Sequence, residues 1–161
     1  MAYNTIKIKK YSDVIEEITA TAEAAITPGS LLELDSAGTV QAHSTAGGTV
    51  LPMFALEDEL QGKGIDDNIA ASNKIQVWIP GRGDQVYAIL QDGEDVSIGD
   101  FLTSNGTGSL KKLTVDSAGG LEPVNSPIVG VALEAVNLSD SSGGESSGAL
   151  GYNKRIKVRI I

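Results

Sequence analysis

The chain has 161 residues, the length of one ordinary domain, and its 21 acidic and 12 basic residues give a net charge of −9. A net negative charge argues against a protein that coats nucleic acid, because phosphate contacts need clustered Lys and Arg. The chain has no cysteine and a single histidine, which excludes disulfides, zinc–thiolate sites and histidine-rich metal sites. No apolar run approaches the roughly 20 residues that a membrane-spanning helix needs. We therefore expect neither a nucleic-acid nor a membrane partner.

The N-terminus begins with a basic, alternating run. The first eleven residues carry three lysines and no acid, and Ile6 and Ile8 stand beside the first of these lysines. Alternation of apolar and polar residues with period two is typical of a half-buried strand. We predict that residues 1–14 form a basic N-terminal arm and that residues 15–161 form a single β domain.

Most apolar residues downstream stand in short alternating runs rather than at helical spacing. Clear examples are Ile75–Ile79 and Arg155–Ile160, and turn signals such as Pro80-Gly81 separate such runs. Short strands joined by Gly-rich turns predict an all-β fold, a small β-barrel or β-sandwich. Helical spacing is possible only over Ser12–Glu17 and Leu56–Ala71, for a turn or two in each.

The chain resembles itself at a shift of about seventy residues. The run Thr27-Pro28-Gly29-Ser30-Leu31-Leu32 aligns with Ser97-Ile98-Gly99-Asp100-Phe101-Leu102, seventy positions later. Two further matches follow in the same order, Phe54–Glu57 with Val131–Glu134 and Ile75–Ile79 with Ile156–Ile160, at shifts of 77 and 81. Neither half has enough apolar residues to bury a face alone. We predict two similar halves, about 15–90 and 91–161, that close one barrel or sandwich together; chance recurrence of a common hairpin pattern is the alternative.

Charge is divided between the ends and the middle of the chain. The first eleven and last eight residues carry seven basic groups and no acid, whereas the remaining 142 residues carry a net charge of −16. On the C-terminal strand Arg155, Lys157 and Arg159 alternate with apolar residues. This pattern predicts docking onto an acidic protein surface or, equally, an edge strand protected against aggregation. The Gly/Ser-rich residues 139–151 cannot bury apolar surface and are predicted to form a flexible loop.

Three short motifs could carry chemistry, and the residues favour a structural explanation for each. Arg82-Gly83-Asp84 spells the integrin-recognition tripeptide but lies where a hairpin needs a turn. Glu57-Asp58-Glu59 with Asp66-Asp67 could hold calcium, but the spaced ligand loop is missing, which favours solvated surface acid. His43 stands in a polar stretch and is interpreted as a surface side chain. With no nucleophile–base set, the sequence predicts no enzyme, no catalytic residue, no metal and no cofactor.

The order of these motifs resembles the head decoration (capsid cement) proteins of tailed bacteriophages. The resemblance covers roughly residues 15–161, and each motif alone is a modestly specific turn-and-strand pattern. The matching segments are Ile26–Leu34 with Gly38-Thr39-Val40, Ala55-Leu56-Glu57, Arg82-Gly83-Asp84, Val96–Leu102, Ile128–Glu134 and the basic strand at the end of the chain.

The resemblance implies a non-enzymatic, all-β protein, often a homotrimer, on the outside of a matured capsid, with the major capsid protein as its partner. Many such proteins touch the shell through an N-terminal arm, and the candidate capsid-binding arm here is Ile6, Lys7, Ile8, Lys9, Lys10 and Tyr11. We therefore expect a virion protein on the capsid exterior, made in the host cytoplasm. The alternative is a virion surface module that binds a host receptor or a carbohydrate, although aromatic residues that stack on sugars make up only 4% of the chain.

Overall fold

Short antiparallel strands make up the fold. The computed structural model describes residues 5–9, 14–21, 23–114, 127–140 and 154–161. Within these ranges the chain forms thirteen strands and one 3-10 turn, and no α-helix. The strands are β1 (Lys7–Lys9), β2 (Ile15–Thr19), β3 (Leu32–Leu34), β4 (Val40–Ala42), β5 (Phe54–Ala55), β6 (Lys74–Trp78), β7 (Gln85–Ile89), β8 (Asp95–Val96), β9 (Phe101–Ser104), β10 (Leu110–Lys112), β11 (Gly130–Ala132), β12 (Val136–Asn137) and β13 (Arg155–Ile160). The all-β prediction is confirmed.

The two possible helical segments behave differently. The prediction of possible helix over Ser12–Glu17 is wrong where it can be compared, because its last three residues lie in β2 and pair with β6. The second segment holds only the 3-10 turn Glu59–Gln61, which Asp58 caps and Gly62 ends with a φ of 72°. Among the described residues, no helix is long and apolar enough to span a membrane.

The strands are arranged in several antiparallel sheets. A six-stranded sheet has the order β1-β7-β13-β11-β9-β10, and a three-stranded sheet has the order β2-β6-β5. Two smaller pairs, β3-β4 and β8-β12, complete the described part. The larger buried cluster contains Phe54 and Trp78 from the first half of the chain together with Leu102 and Ile156 from the second. This cluster therefore contains residues of both halves, whereas a second buried cluster, which includes Leu32 and Val77, lies within the first half.

Equivalent strands of the two halves pair in the same register. The pairs Ile15↔Trp78 and Thr19↔Lys74 of β2–β6 correspond to Gln85↔Arg159 and Ile89↔Arg155 of β7–β13. Likewise Leu32↔Ala42 corresponds to Leu102↔Lys112, and Ala55↔Val77 corresponds to Ala132↔Val158. Equivalent residues of the two halves are thus 70, 77 or 81 positions apart, which are the shifts found in the sequence matches.

The turns of the two halves also correspond. Gly29 and Gly99 have φ angles of 89° and 90°, in the left-handed region that favours glycine. The amide of Gly29 donates to the carbonyl of Ala55 at 2.8 Å, and that of Gly99 donates to the carbonyl of Ala132 at 2.9 Å. We infer two similar units and propose that their boundary lies between β6 and β7. The described residues 14–79 are called the first unit below, and those from 84 to 161 the second unit.

Candidate functional site

The N-terminal strand is built into the edge of the large sheet. β1 pairs with β7, with Lys7 opposite Val86 and Lys9 opposite Gln85. Ile6 is fully buried in the larger core cluster, and Ile8 packs against that cluster. The part of the candidate arm from Ile6 to Lys9 is therefore an edge strand, whereas Lys10 and Tyr11 lie outside the described residues.

A buried carboxylate fixes the start of this strand. Glu57, which is 5% exposed, accepts hydrogen bonds from the amide of Ile6 at 3.2 Å and from the hydroxyl of Thr5 at 2.5 Å. On the other side of the backbone, the carbonyl of Ile6 accepts a hydrogen bond from the amide of Tyr87 at 2.8 Å. Charge-assisted hydrogen bonds of this kind are stronger than neutral ones. Glu57 therefore anchors a basic segment to the body of the protein.

The two basic ends of the chain meet in one sheet. β1 and β13 are both neighbours of β7, so the strands that carry Lys7 and Arg159 are separated by one strand. Gln85 of β7 is opposite both Lys9 of β1 and Arg159 of β13. Since neighbouring strands lie about 5 Å apart, β1 and β13 lie about 10 Å apart. By this register Lys157 and Arg159 lie on the face of Tyr87 and Gln85, and Lys7 lies opposite Val86 on the other face. We call the three cations Lys7, Lys157 and Arg159, on the strands that flank β7, the basic edge.

Only part of the predicted row of C-terminal cations contributes to this edge. Arg159 is exposed and Lys157 is half-buried, but Arg155 is 3% exposed. The guanidinium of Arg155 binds the carboxylate of Asp66 at 2.9 Å and donates to the carbonyls of Pro28 and Ile65 at 3.2 and 2.5 Å. Arg155 thus ties the last strand to two loops of the first unit and is not available to a partner.

The integrin-like tripeptide forms a turn, as the sequence favoured. Gly83 has a φ of 95°, and the amide of Gly81 donates to the carboxylate of Asp84 at 2.8 Å. The side chain of Asp84 is fully buried. A receptor that recognises this motif through its carboxylate would find no exposed acid here.

The interpretation of His43 as a surface side chain is wrong. His43 is 1% exposed, because it lies where the first unit meets β9 of the second unit. Its Nδ1 is 2.7 Å from the Ser104 hydroxyl, and its Nε2 is 3.3 Å from the Thr49 carbonyl. Both ring nitrogens have structural partners, and the carboxylate of Glu33 lies 3.7 Å from Nε2. The polar neighbours of His43 in sequence concealed its burial.

The acidic residues do not converge on a metal site in the part of the chain that is described. No three His, Cys, Asp or Glu side chains there are placed to hold an ion. Of the cluster considered from the sequence, Glu57 anchors β1, Asp58 caps the 3-10 turn and Asp66 binds Arg155. The buried roles of Glu57 and Arg155 could not be predicted, because they depend on contacts 51 and 89 residues away along the chain.

Comparisons with known proteins give a likeness in structure and none in sequence. No protein-family model matches the chain, and no curated protein matches it in sequence. Among solved structures, the chain is similar to the N base of head fiber gp8.5 in bacteriophage phi29. The identity is 16% and the TM-score 0.49, over 92% of this chain and 95% of that one.

Proposed function

We propose that this protein binds the outside of a phage capsid lattice and stabilises it, as a non-enzymatic decoration protein. The observation that carries the proposal is the basic edge, where cations from both ends of an otherwise acidic chain meet in one sheet. Cations on both faces of this side of the sheet fit acidic groups of the major capsid protein that lie on either side of the strand edge. The motif order seen in the sequence, which resembles head decoration proteins, supports the same role.

The physical advantage of such a protein lies in linked contacts. A filled shell fails where neighbouring subunits separate, so a molecule that holds several subunits at once opposes that separation. Each contact can be modest, because the first one raises the effective concentration of the next. We propose that the protein is a homo-oligomer, with a trimer favoured, so that several basic edges bind one lattice position.

The backbone of β1 offers a second kind of contact. In the described part of the chain β1 pairs with β7 alone, at the outer edge of the six-stranded sheet. Because Ile6 directs its carbonyl towards β7, the next residue, Lys7, directs its backbone groups to the open side. A strand of a capsid subunit that pairs with the open edge of β1 would gain main-chain hydrogen bonds, and acidic side chains on that strand would lie near Lys7.

Charge reversal within the basic edge tests the proposal. Purified protein is mixed with undecorated, expanded heads of the cognate phage, and the bound fraction is measured by co-sedimentation. We expect the wild-type protein to bind, and the double variant Lys7→Glu/Arg159→Glu to bind at least about tenfold more weakly, because like charges across an interface repel. Raised salt should weaken wild-type binding in the same direction.

The control is Lys63→Glu/Lys111→Glu, which changes the net charge by the same amount away from the basic edge. This variant should bind like the wild type. Equal losses in both double variants would show that net charge alone matters, and wild-type protein that stays in the supernatant would remove the capsid-binding function. Removal of residues 1–11 is a poorer test than charge reversal, because it deletes Ile6 from the core.

A further inference from the structure

The contact between the two units of one chain joins two different surfaces. The front surface of the first unit is the turn from Pro28 to Leu31. This turn packs against Ile89, Gly108 and Arg155 of the second unit. With Ser104, which meets the first unit at His43, these residues form the back surface of the second unit. The amide of Ile89 donates to the carbonyl of Gly29 at 3.0 Å, and the amide of Leu31 donates to the carbonyl of Gly108 at 2.7 Å. This contact is therefore front to back.

Among the described residues the opposite contact is not made. The front surface of the second unit is the turn Ile98–Phe101, and the back surface of the first unit is Thr19, Leu34, Gly38 and Lys74, by the register given above. A methyl group added at Gly29 would meet the carbonyl of Tyr87 at 3.0 Å, whereas one added at Gly99 would meet nothing within 4 Å. The back surfaces differ in the same way. A methyl group added at Gly108 would lie 2.9 Å from the Cβ of Ala42, whereas one added at Gly38 would meet nothing within 4 Å.

Apolar side chains stand on both open surfaces. Ile98 is 70% exposed and Phe101 is 48% exposed on the open front, and Leu34 is 55% exposed on the open back. Their equivalents in the closed contact are Pro28, Leu31 and Ser104, all of which are buried. Apolar side chains grouped on a surface in this way are typical of an interface between proteins.

The backbone of the open back surface is also prepared for pairing. The amide of Ala20 donates to the carbonyl of Asn73, and Ile79 donates to Val14, so the even-numbered residues of β2 point towards β6. Thr19 therefore directs its N–H to the other edge of β2, which β4 meets one residue further on, through the bridge between Ala20 and Val40. Its equivalent, Ile89, uses that N–H to bind Gly29.

We infer that a second copy of this chain occupies these surfaces, with the open front of one copy packed on the open back of the next. The contact repeats the one already made inside the chain. By analogy with the bonds of Ile89 to Gly29 and of Leu31 to Gly108, we expect two hydrogen bonds between copies. The Thr19 amide would donate to the Gly99 carbonyl, and the Phe101 amide would donate to the Gly38 carbonyl. Because the contact is heterologous, repetition gives a ring if the rotation closes and a filament if it does not.

The inference stands apart from capsid binding, because it concerns the free protein. Sedimentation velocity over a range of protein concentrations should show an oligomer. Phe101→Glu, which spoils only the front, and Leu34→Glu, which spoils only the back, should each raise the dissociation constant at least about tenfold. Ile161→Glu, which places the same charge on an exposed apolar residue of neither surface, should leave it unchanged.

A mixture separates this arrangement from a symmetric one. The Phe101→Glu copy keeps an intact back, and the Leu34→Glu copy keeps an intact front. Mixed in equal amounts, the two variants should therefore form a dimer and nothing larger, which also shows that both are folded. A symmetric contact in which one surface meets itself would give no such rescue, and that result would overturn the inference.

Cross-linking tests the register in a chain that has no cysteine of its own. A Cβ at Gly108 would lie 3.5 Å from the Cβ of Ser30, within the range of a disulfide. The equivalent pair between copies is Gly38→Cys with Asp100→Cys. The double variant should give reducible multimers on oxidation, and each single variant should give monomers. A wild-type protein that is monomeric at all concentrations, or a double variant that does not cross-link, would refute the contact.

Discussion

The two units differ less in their strands than in what covers their turns. Leu32 and Leu102, which occupy equivalent positions in β3 and β9, are both fully buried. One residue earlier, Leu31 is fully buried whereas Phe101 is 48% exposed. A shared sequence pattern therefore determines the local pairing, and the neighbouring unit determines the burial of the turn. The comparison shows which part of each unit is self-contained and which part depends on a partner.

The largest effects are expected where the two units are the same. Leu32→Ala and Leu102→Ala each remove a fully buried side chain and leave a cavity, so each should lower the free energy of unfolding by about 3 kcal/mol. Urea unfolding of the monomer measures both values. Similar costs would support equivalent cores, and a difference of more than about 2 kcal/mol would show that one unit carries the stability of the other.

A smaller, asymmetric effect is expected at the turns. Gly29→Ala and Gly99→Ala both place a side chain at a φ near 90°, which costs about 1 kcal/mol in each unit. Gly29→Ala also brings a methyl group to 3.0 Å from the backbone oxygen of Tyr87, and we expect it to cost about 2 kcal/mol more than Gly99→Ala. The same unfolding assay, at concentrations where the protein is monomeric, measures the difference. Equal costs would mean that the turn of the first unit can move away from the second.

Local patterns were enough to predict much of the fold. Alternation over Ile75–Ile79 and Arg155–Ile160 corresponds to β6 and β13, and the three sequence shifts recur in the strand registers. The pattern failed for Ile15–Glu17, because these three successive residues of β2 are all exposed, on both faces of the strand. Strand residues that are exposed on both faces have no reason to alternate, and it is at Ile18 that β2 packs against a buried cluster.

The candidate site could be predicted only in part, because its arrangement depends on distant contacts. The charge at both chain ends was visible in the sequence, but their approach on either side of β7 follows from strand order. Arg155 and Arg159 have the same spacing from apolar neighbours, yet one is buried by Asp66 and the other is exposed. Alternation assigns both to one face of a strand and cannot show that a loop covers one end of it.

The smallest expected effect distinguishes two turns of the same shape by their charge. The Oδ1 atom of Asp35 accepts from the amides of Ala37 and Thr39 at 2.8 and 2.9 Å. In the second unit the Oδ1 atom of Asn105 accepts from the amides of Thr107 and Ser109 at 2.8 and 3.2 Å. Hydrogen bonds from the Thr39 hydroxyl and amide hold the pKa of the Asp35 carboxyl below its usual value. The Asn105 side chain does not titrate.

A depressed pKa in the folded state means that the Asp35 carboxylate stabilises the protein above its unfolded pKa. That contribution is lost as the pH falls through the lower, folded pKa. We therefore expect Asp35→Asn to be less stable than the wild type at pH 7 and equal to it once the pH is below the folded pKa of Asp35, with the melting temperature as the measurement. Asn105→Asp should show the opposite sign, with a gain at pH 7 that disappears in acid. A difference that does not change with pH would show that the turn depends on its shape and not on its charge, and the two turns would then be equivalent in energy as well as in geometry.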